Sequence, residues 1–471
     1  MSRARWLLWI AVAAFAAGMA TLAVQTQQAF MTGRFDVGNL TQAVWSTAHG
    51  RFLEVTDLQG EQISRLGAHF DPLVVLLAPL WWLWPHPSLL LVVQAVAVGL
   101  VAVPVFLLAR KHLGSEWAGL FFAAAYLLYP PTQWLVQDDF HPVAVATPLL
   151  LAAIWFLDED RLLPFAICAG AACLTKEQVG LVVAMLGVWH AFGHGRRVAG
   201  GVIAGAGVLI AAVAVAVVVP HYAPTGRSPF AGRYAAVGGS PAGIVKTALT
   251  HPLRLVEAAT HHHDLAYLWH LFAPLAGLPL LSPLLAASAL PELALNLLSS
   301  RQTQTSINFH YTAAAIPGLI AGAVLGAAWI NRRRPRIGRT LGPGLVVLTL
   351  GAGVLAGPLP VWSDVPFGSK LDAHDHIVTA HDRAAAFALE AVPAGVPVSA
   401  TNTLGAHLSD RRRIFSFPVL DEARWVAVDL TRPSYLDDSE GHRFATAYAA
   451  FRRDRRWKIV RERSGVVVLR R

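Results

Sequence analysis

Charged side chains are scarce in this chain of 471 residues: only 14% are charged, whereas 55% are hydrophobic. Water-soluble domains usually carry about 25% charged residues, so the composition excludes an ordinary soluble protein. The mean hydropathy of +0.49 is typical of a protein that crosses a membrane several times. The net charge of +9 comes from Arg clusters between apolar runs, which is the positive-inside pattern, and it does not indicate a nucleic-acid partner.

Cysteine is nearly absent as well. Cys168 and Cys173 lie five positions apart in one apolar run, where they are badly placed to bridge, so the chain has no disulfide framework. The sequence also lacks a Walker loop, a dinucleotide glycine fingerprint, a GxSxG motif and a paired-cysteine metal site. None of these motifs therefore points to a function.

Long apolar runs are plentiful. The first, Trp6 to Val24, is about as long as a membrane span and reads as an uncleaved anchor, and Arg3 and Arg5 before it predict a cytoplasmic N-terminus. Basic clusters at 193–197 and 331–339 predict further cytoplasmic turns. We predict about eleven spans, at 6–24, 88–109, 115–130, 142–157, 161–175, 177–192, 198–219, 265–281, 282–298, 312–330 and 341–358. The proline-interrupted segment 69–85, with three tryptophans, predicts a helix lying at the membrane interface.

Residues 361–471 differ from the rest, because they are rich in charge and contain no spanning run. The odd number of spans places them outside the cytoplasm. Alternating apolar patterns predict strands at 396–401, 413–417, 425–430 and 466–471, and helices at 374–391 and 440–455. The sequence thus predicts a transmembrane domain over 1–360 and a small extracytoplasmic α/β domain over 361–471.

Three of the predicted outer loops carry an acid or a histidine. Asp36 follows the first span, His69 begins HFDP, and QDDFHP contains Asp138, Asp139 and His141. Each has an ordinary alternative, since Asp36 could cap the next helix and the others could lie in solvated turns. Their occurrence on one side favours a shared polar cavity.

Lys176 and Glu177, in LTKEQVG, interrupt an otherwise apolar hairpin. Charged groups at such a depth are costly and mark candidate functional sites. One interpretation is an ion pair between the two residues, or snorkelling to the interface. The other is that Lys176 binds an anionic phosphate as a point charge.

The order of these features resembles the integral-membrane glycosyltransferases of the GT-C fold over about the first 200 residues. Nearly the whole chain is similar to a bacterial family of polytopic membrane proteins that share a domain of unknown function. The stretches that carry this second resemblance are FDVGNLTQAVW, HFDPLVVLLAPL, LTKEQVGL, LPELALNLLS, FHYTAAAIP and VPVSATNTLGAHLSDRRRIFSFP.

The GT-C resemblance implies an enzyme that takes a sugar from a polyprenyl-phosphate carrier at the outer face. Asp36 occupies the place of the acid that acts as base or metal ligand, although Phe35 and Val37 stand where an acidic pair is usual. Asp139 resembles the acid of the second loop, and Lys176 the lysine near the donor phosphate.

The resulting hypothesis is a multi-pass cell-membrane glycosyltransferase whose partners are membrane lipid and a polyprenyl-phosphate sugar donor. The alternatives are a transporter or flippase of a lipid-linked intermediate, and a scaffold for envelope partners. A divalent cation is an open question. The predicted site consists of Asp36 as the catalytic residue and His69, Asp139, His141, Lys176 and Glu177 as substrate-binding residues.

Overall fold

The computed structural model describes residues 2–260, 262–370, 374–438 and 444–471, and most of them are helical. In these ranges four helices are long and apolar enough to cross a membrane: Arg3–Gln28, Ser88–Leu113, Arg197–Tyr222 and Pro335–Ala356. Six shorter apolar helices accompany them: Pro72–Leu83, Glu116–Leu128, Pro142–Asp158, Leu162–Cys173, Val179–Gly193 and Pro283–Leu297. A polytopic helical architecture is confirmed, while the number of about eleven spans stays a prediction.

The α-helices of the first half are α1 (Arg3–Gln28), α2 (Asn39–Ala48), α3 (Ala78–Leu83), α4 (Ser88–Leu100), α5 (Ala102–Leu113), α6 (Glu116–Leu128), α7 (Pro130–Gln137), α8 (Pro142–Asp158), α9 (Leu162–Cys173), α10 (Val179–Gly193) and α11 (Arg197–Val213). Those that follow are α12 (Val219–Tyr222), α13 (Pro241–Thr250), α14 (Pro252–Ala258), α15 (His262–Phe272), α16 (Pro283–Ala286), α17 (Leu290–Leu297), α18 (Ile316–Arg333) and α19 (Pro335–Ala356). The predicted interfacial segment forms a 3-10 helix, Pro72–Leu77, that continues into α3 with Trp82 and Leu83 exposed.

The predicted span 265–281 is wrong as a single helix. Helix α15 ends at Phe272, and the chain then turns through Ala276 and Gly277, whose φ angles are 53° and 64°. Proline at 274 and 279 removes backbone donors on either side of this turn, so a continuous helix cannot form there. The predicted span 282–298 corresponds to the short apolar helix Pro283–Leu297.

A five-stranded sheet lies in the C-terminal part of the chain. Its strands are β3 (Val398–Ala400), β4 (Ile414–Ser416), β5 (Trp425–Asp429), β6 (Lys458–Arg463) and β7 (Val466–Arg470), after an earlier hairpin of β1 (Glu54–Thr56) and β2 (Gln62–Ser64). The order is β4-β3-β5-β7-β6, in which β3 is parallel to β4 and β5, and β7 is antiparallel to β5 and β6. Helices α20 (Ala380–Leu389), α21 (Asn402–Ala406) and α22 (Phe444–Arg453) accompany it.

The four predicted strands are therefore present, and β6 was missed. Its sequence KIVRER has a charged residue at four of six positions, and none of its side chains is buried, so the apolar alternation of a half-buried strand is absent. The helix predicted at 374–391 begins only at Ala380, where Thr379 as N-cap and Asp382 in the first turn form a capping box. Part of the helix predicted at 440–455 lies outside the described residues, and α22 covers the remainder.

The sheet is joined to the loop that follows α1 through a buried arginine. Arg34, which is 2% exposed, donates from Nη2 to the carbonyl oxygens of Thr56 (3.0 Å) and Ile414 (2.5 Å) and from Nη1 to Ser416 Oγ (2.9 Å). Phe30 stacks on His407 at 3.9 Å between ring centroids. These contacts define one end of the helical bundle, which we call the sheet end, and a division of the chain at residue 360 stays a prediction.

The other end of the bundle carries the basic turns, and we call it the basic end. Lys111 Nζ lies 2.7 Å from Asp158 Oδ2 and 2.6 Å from Glu159 Oε1. Arg5 pairs with Glu116 at 2.6 Å, which places the start of α1 and the start of α6 together. The loops after α1, α7 and α9 meet at the sheet end, where Gly33 N–H donates to Asp139 Oδ2 at 3.3 Å and Lys176 lies beside Tyr311.

Candidate functional site

Asp36 lies at the sheet end on a single π-helical turn, Arg34–Gly38, which leads into α2. The backbone N–H of Gly38 donates to the carbonyl of Gly33 at 3.1 Å. Such π-helical turns are rare in proteins, and those that occur are often found at functional sites. The carboxylate of Asp36 caps neither this turn nor α2. The helix-cap interpretation of Asp36 is therefore wrong, and its side chain, 49% exposed, is free to face other groups.

The loop between α7 and α8 brings three of the candidate residues to the same place. Asp139 adopts a left-handed conformation with φ at 42°, which Asp tolerates better than most residues. Gln94 of α4, fully buried, fixes the bend: its Nε2 donates to the carbonyl of Asp139 at 2.5 Å, and its Oε1 accepts from the backbone N–H of His141 at 2.9 Å. This bend places His141 Nε2 at 3.5 Å from Asp36 Oδ1.

A second histidine completes this group. His310, from the loop before α18, stacks on His141 with 3.5 Å between ring centroids. Asp138 Oδ2 accepts from the backbone N–H of His310 at 2.6 Å and lies 2.9 Å from its Nδ1. Ligand atoms of Asp138, His141 and His310 all lie within 4.8 Å of one another, so these residues could hold a divalent cation. One carboxylate and two imidazoles are a donor set that Zn²⁺ accepts.

Burial controls the protonation of these groups. It raises the pKa of Asp138 to about 6, with a further contribution from Asp36. Burial also raises the pKa of Asp139, and the charges of Asp36 and Asp138 add to this effect. For His141 burial opposes protonation, but the surrounding carboxylates outweigh it and raise its pKa; for His310 burial and the neighbouring His141 lower the pKa well below its usual value. The two stacked imidazoles therefore differ, because the surroundings of His141 favour its protonated form and those of His310 favour its neutral form.

Lys176 lies beside this group in the loop between α9 and α10. It is 8% exposed, and among the described residues it makes no ion pair and no hydrogen bond. Its ammonium lies 5.3 Å from the centre of the Tyr311 ring, and that ring packs against His310 at 4.2 Å. The carboxylates of Glu177 and Glu292 act on Lys176 only from beyond ion-pair distance. A buried cation without a directly paired carboxylate is costly, which favours an anionic ligand at this position.

Glu177 does not pair with Lys176. Its Oε1 lies 3.1 Å from His69 Nδ1, and its Oε2 accepts from the backbone N–H of Phe70 at 3.0 Å. Burial alone would raise the pKa of Glu177, but His69 and Lys176 hold it at about 2, so Glu177 is ionised. The interpretation of Lys176 and Glu177 as a mutual ion pair is therefore wrong, and Glu177 instead fixes His69 and the loop around it.

The structure thus brings Asp36, Asp139 and His141 into one group, with Lys176 next to it and the His69–Glu177 pair behind Lys176. The site predicted from the sequence did not include Asp138, His310 or Gln94. A signal for Gln94 existed, because a lone polar residue within the apolar run LLLVVQAVAV requires a buried partner. His310 gave only a weak signal, since it stands among many polar residues of its loop.

The comparisons with known proteins agree with this architecture. A family model described as "Predicted membrane protein (DUF2079)" matches residues 27–468. The chain belongs to this family. No curated protein sequence matches it.

Solved structures extend the comparison to the fold. The chain is similar to ArnT from Cupriavidus metallidurans bound to undecaprenyl phosphate, with a TM-score of 0.54, 13% identity and coverage of 99% of this chain and 98% of that chain. It is equally similar to ArnT from the same organism in the apo state, with a TM-score of 0.56, 12% identity and the same coverage. The DUF2079 chain therefore has an ArnT-like fold, which confirms the expected GT-C fold class.

Proposed function

We propose that this protein is a glycosyltransferase that uses a polyprenyl-phosphate-linked sugar as donor at the outer face of the membrane. The observation that carries the proposal is the buried ammonium of Lys176, which makes no direct ion pair with a carboxylate among the described residues and lies next to a group of acids and histidines. A phosphate would provide the negatively charged partner that pairs with the Lys176 ammonium. The ArnT structure bound to undecaprenyl phosphate supports a polyprenyl phosphate as the anionic group.

The chemistry would be a displacement at the anomeric carbon of the sugar with inversion. Asp36 accepts the proton of the acceptor's hydroxyl or amine as the acceptor atom forms its bond to the anomeric carbon. The bond from that carbon to the phosphate oxygen breaks, and the electron pair leaves with the polyprenyl phosphate. Lys176 stabilises the charge that grows on the leaving phosphate.

His141 would orient the base. Its Nε2 lies 3.5 Å from Asp36 Oδ1, and its protonated form holds the Asp36 carboxylate in place. Asp138 and Asp139 neutralise the charge of His141 from the other side. The stacked His310 could instead join Asp138 and His141 in binding a divalent cation.

The transporter alternative predicts binding near the middle of the membrane and two related halves. The titratable groups described above lie in the loops that meet at the sheet end, which favours chemistry at the membrane surface. A release assay separates the two: a glycosyltransferase produces free polyprenyl phosphate from its donor, and a transporter leaves the donor intact.

The phosphate role of Lys176 is tested by thermal unfolding in detergent. Polyprenyl phosphate should raise the Tm of the wild-type protein, because a ligand stabilises the folded state in proportion to its affinity. In Lys176→Gln the Tm without lipid should hold, while the lipid-induced rise should largely disappear. A lipid-induced rise of equal size in Lys176→Gln would overturn the role of Lys176 and the glycosyltransferase proposal that rests on it.

A further inference from the structure

Two neighbouring cavities lie along α1, one lined by residues 11–22 of this helix and the other reaching the candidate site at Asp138 and Asp139. We call the two cavities together the groove. The first cavity, of about 440 Å³, is almost entirely apolar and lies between α1 and α6, with Gly18 and Leu22 on one side and Ala124 and Leu128 on the other. A Cβ atom on Gly18 would meet no heavy atom within 4 Å, and the side chain of Ala14 is exposed. This part of the groove is therefore open at the side of the helical bundle, at the depth of a membrane span.

The second cavity, of about 270 Å³, is polar and contains the acids of the site. Thr26, Gln137, Asp138 and Asp139 line it. Leu22 of α1 and Gln133 of α7 line the apolar cavity, whereas Thr26 and Gln137, each four residues later, line the polar one. Both helices thus lead from one cavity to the other in a single turn, which is about 5.4 Å.

One polar side chain faces the apolar cavity without a partner. Gln133 is 2% exposed, and its Oε1 has no hydrogen-bond donor. The indole N–H of Trp362 is also buried and unpaired, and a Cβ atom on Gly357 would lie 3.1 Å from both this nitrogen and Gln133 Oε1, so the two unpaired atoms are neighbours. Buried polar atoms without partners are costly, and one polar group that reaches Gln133 Oε1 from the cavity would satisfy this acceptor.

Charge decides which ligand fits. Among the described residues that line the polar cavity, the charged ones are Asp138, Asp139 and Asp375, and none of these is a cation. Lys176 is not part of its lining. A phosphate would be repelled here, whereas a hydroxyl or amine can donate to these carboxyl groups. The groove therefore reaches the acids from a different side than the phosphate expected at Lys176.

We propose that this groove binds the acceptor, and that the acceptor is a membrane lipid with a hydroxyl- or amine-bearing headgroup. Its tail occupies the apolar cavity along α1, and its headgroup reaches Asp138 and Asp139. This inference rests on the proposed function and specifies its second substrate. The glycosyl bond would form at the headgroup oxygen or nitrogen, whose proton passes to Asp36, and the product would be a glycolipid.

Photo-crosslinking of the full-length protein tests the lipid site directly. The protein is placed in phosphatidylcholine nanodiscs that contain a diacylglycerol or a phosphatidic acid, each with the same diazirine in its acyl chain. Diacylglycerol should label peptides from residues 11–22 and 124–128 severalfold more strongly than phosphatidic acid does. Equal labelling by the two lipids would mean that only bulk bilayer lipid touches the groove, and it would overturn the proposal.

Two variants fill the apolar cavity, and a third provides the control. Gly18→Leu and Ala14→Phe place apolar side chains in the open space, and either should reduce diacylglycerol labelling severalfold. Gly205→Leu on α11 is the matched control, because a Cβ at Gly205 also meets nothing within 4 Å and lies away from the groove. Undiminished labelling in both cavity variants would reject the site.

The outcome is separable from that of the glycosyltransferase proposal, because labelling requires no donor. If diacylglycerol preference is lost while polyprenyl phosphate still raises the Tm through Lys176, only the acceptor site is wrong. If the labelling follows the expected pattern but polyprenyl phosphate has no effect, the groove binds lipid and its acceptor role falls with the proposed function. A product that stays with protein after organic extraction would also overturn a lipid acceptor.

Discussion

The two ends of the helical bundle contain the same kinds of charged residue but pair them differently. At the basic end Lys111 lies 2.7 Å from Asp158 and 2.6 Å from Glu159, and its Nζ also donates to the carbonyl of Asp158 at 2.8 Å. At the sheet end Lys176 is more deeply buried, yet no carboxylate in the described part of the chain lies within ion-pair distance.

The acids show the same contrast. Asp158 of the basic end contacts Lys111, His112 and His194. Asp36, Asp138 and Asp139 of the sheet end lie near one another and share the histidines. Complete pairing of charges stabilises a turn. Acids that are clustered apart from the nearby cation leave both the acids and the cation able to interact with a ligand. The comparison teaches that the absence of a local partner, rather than position alone, marks a charged residue as a candidate for ligand binding.

The largest expected effect is on the rate of transfer. Asp36→Asn removes the base, and loss of a general base typically slows a reaction by about 10²–10⁴-fold. The Tm should hardly change, because the carboxylate is half exposed and caps no helix. Asp160→Asn at the basic end is the matched control, since the side chain of Asp160 is 47% exposed and should leave the rate unchanged. A normal rate in folded Asp36→Asn would remove the proposed base.

The second effect is on stability. Arg34→Met leaves the buried carbonyl groups of Thr56 and Ile414 without their donor, and the free energy of unfolding should fall by on the order of 3 kcal/mol. At the basic end the exposed Arg196 pairs with Asp160, and Arg196→Met should cost on the order of 0.5 kcal/mol. Thermal unfolding of both variants checks this difference. Similar losses would mean that Arg34 is not the link between α1 and the sheet.

A third effect is a pH dependence confined to the sheet end. Burial raises the pKa of Asp138 from 3.8 to about 6, so between these pH values the folded protein binds a proton that the unfolded chain has released. Its contribution to stability is therefore largest at low pH and is lost as pH rises through about 6. Tm measured from pH 4.5 to 7.5 should fall by a few degrees more in the wild type than in Asp138→Asn. Parallel curves would show that Asp138 titrates normally.

The smallest expected effect is on the stability of two lysine variants, measured when no lipid is bound. Lys111→Gln breaks two ion pairs of a partly exposed side chain and should cost on the order of 1 kcal/mol. Lys176→Gln breaks no direct ion pair among the described residues and removes a buried charge, but it also removes a charge that stabilises ionised Glu177. These two effects oppose each other, so the Tm should change less than in Lys111→Gln. Thermal unfolding in lipid-free detergent compares them. A larger loss for Lys176→Gln would mean that this lysine is structural.

Much of the fold could be predicted from the sequence. The thickness of the bilayer sets the length of an apolar run that can cross it, so long apolar runs identified the helical, polytopic part of the chain. The strands of the sheet were found where apolar residues alternate, and β6 was missed where charge replaced them. The span 265–281 failed because two prolines and a left-handed turn at Ala276–Gly277 outweigh its hydrophobicity.

The site could be predicted only in part. Asp36, Asp139, His141 and Lys176 stand out as polar residues next to apolar runs. Whether they converge depends on tertiary contacts, such as the amide of Gln94 that bends the loop at Asp139, and on His310, which arrives from a segment 169 positions after His141. The partner of Glu177 was also unpredictable, since His69 is distant in sequence and only the fold brings it within 3.1 Å.

The π-helical turn Arg34–Gly38 also has a mechanical consequence. Arg34 is clamped to β4, and Asp36, two residues later, contacts His141 of the helical bundle. The turn therefore connects the sheet, through Arg34, to the helical bundle, through the Asp36 carboxylate. A tilt of the sheet relative to the helices would therefore change the distance from Asp36 to His141.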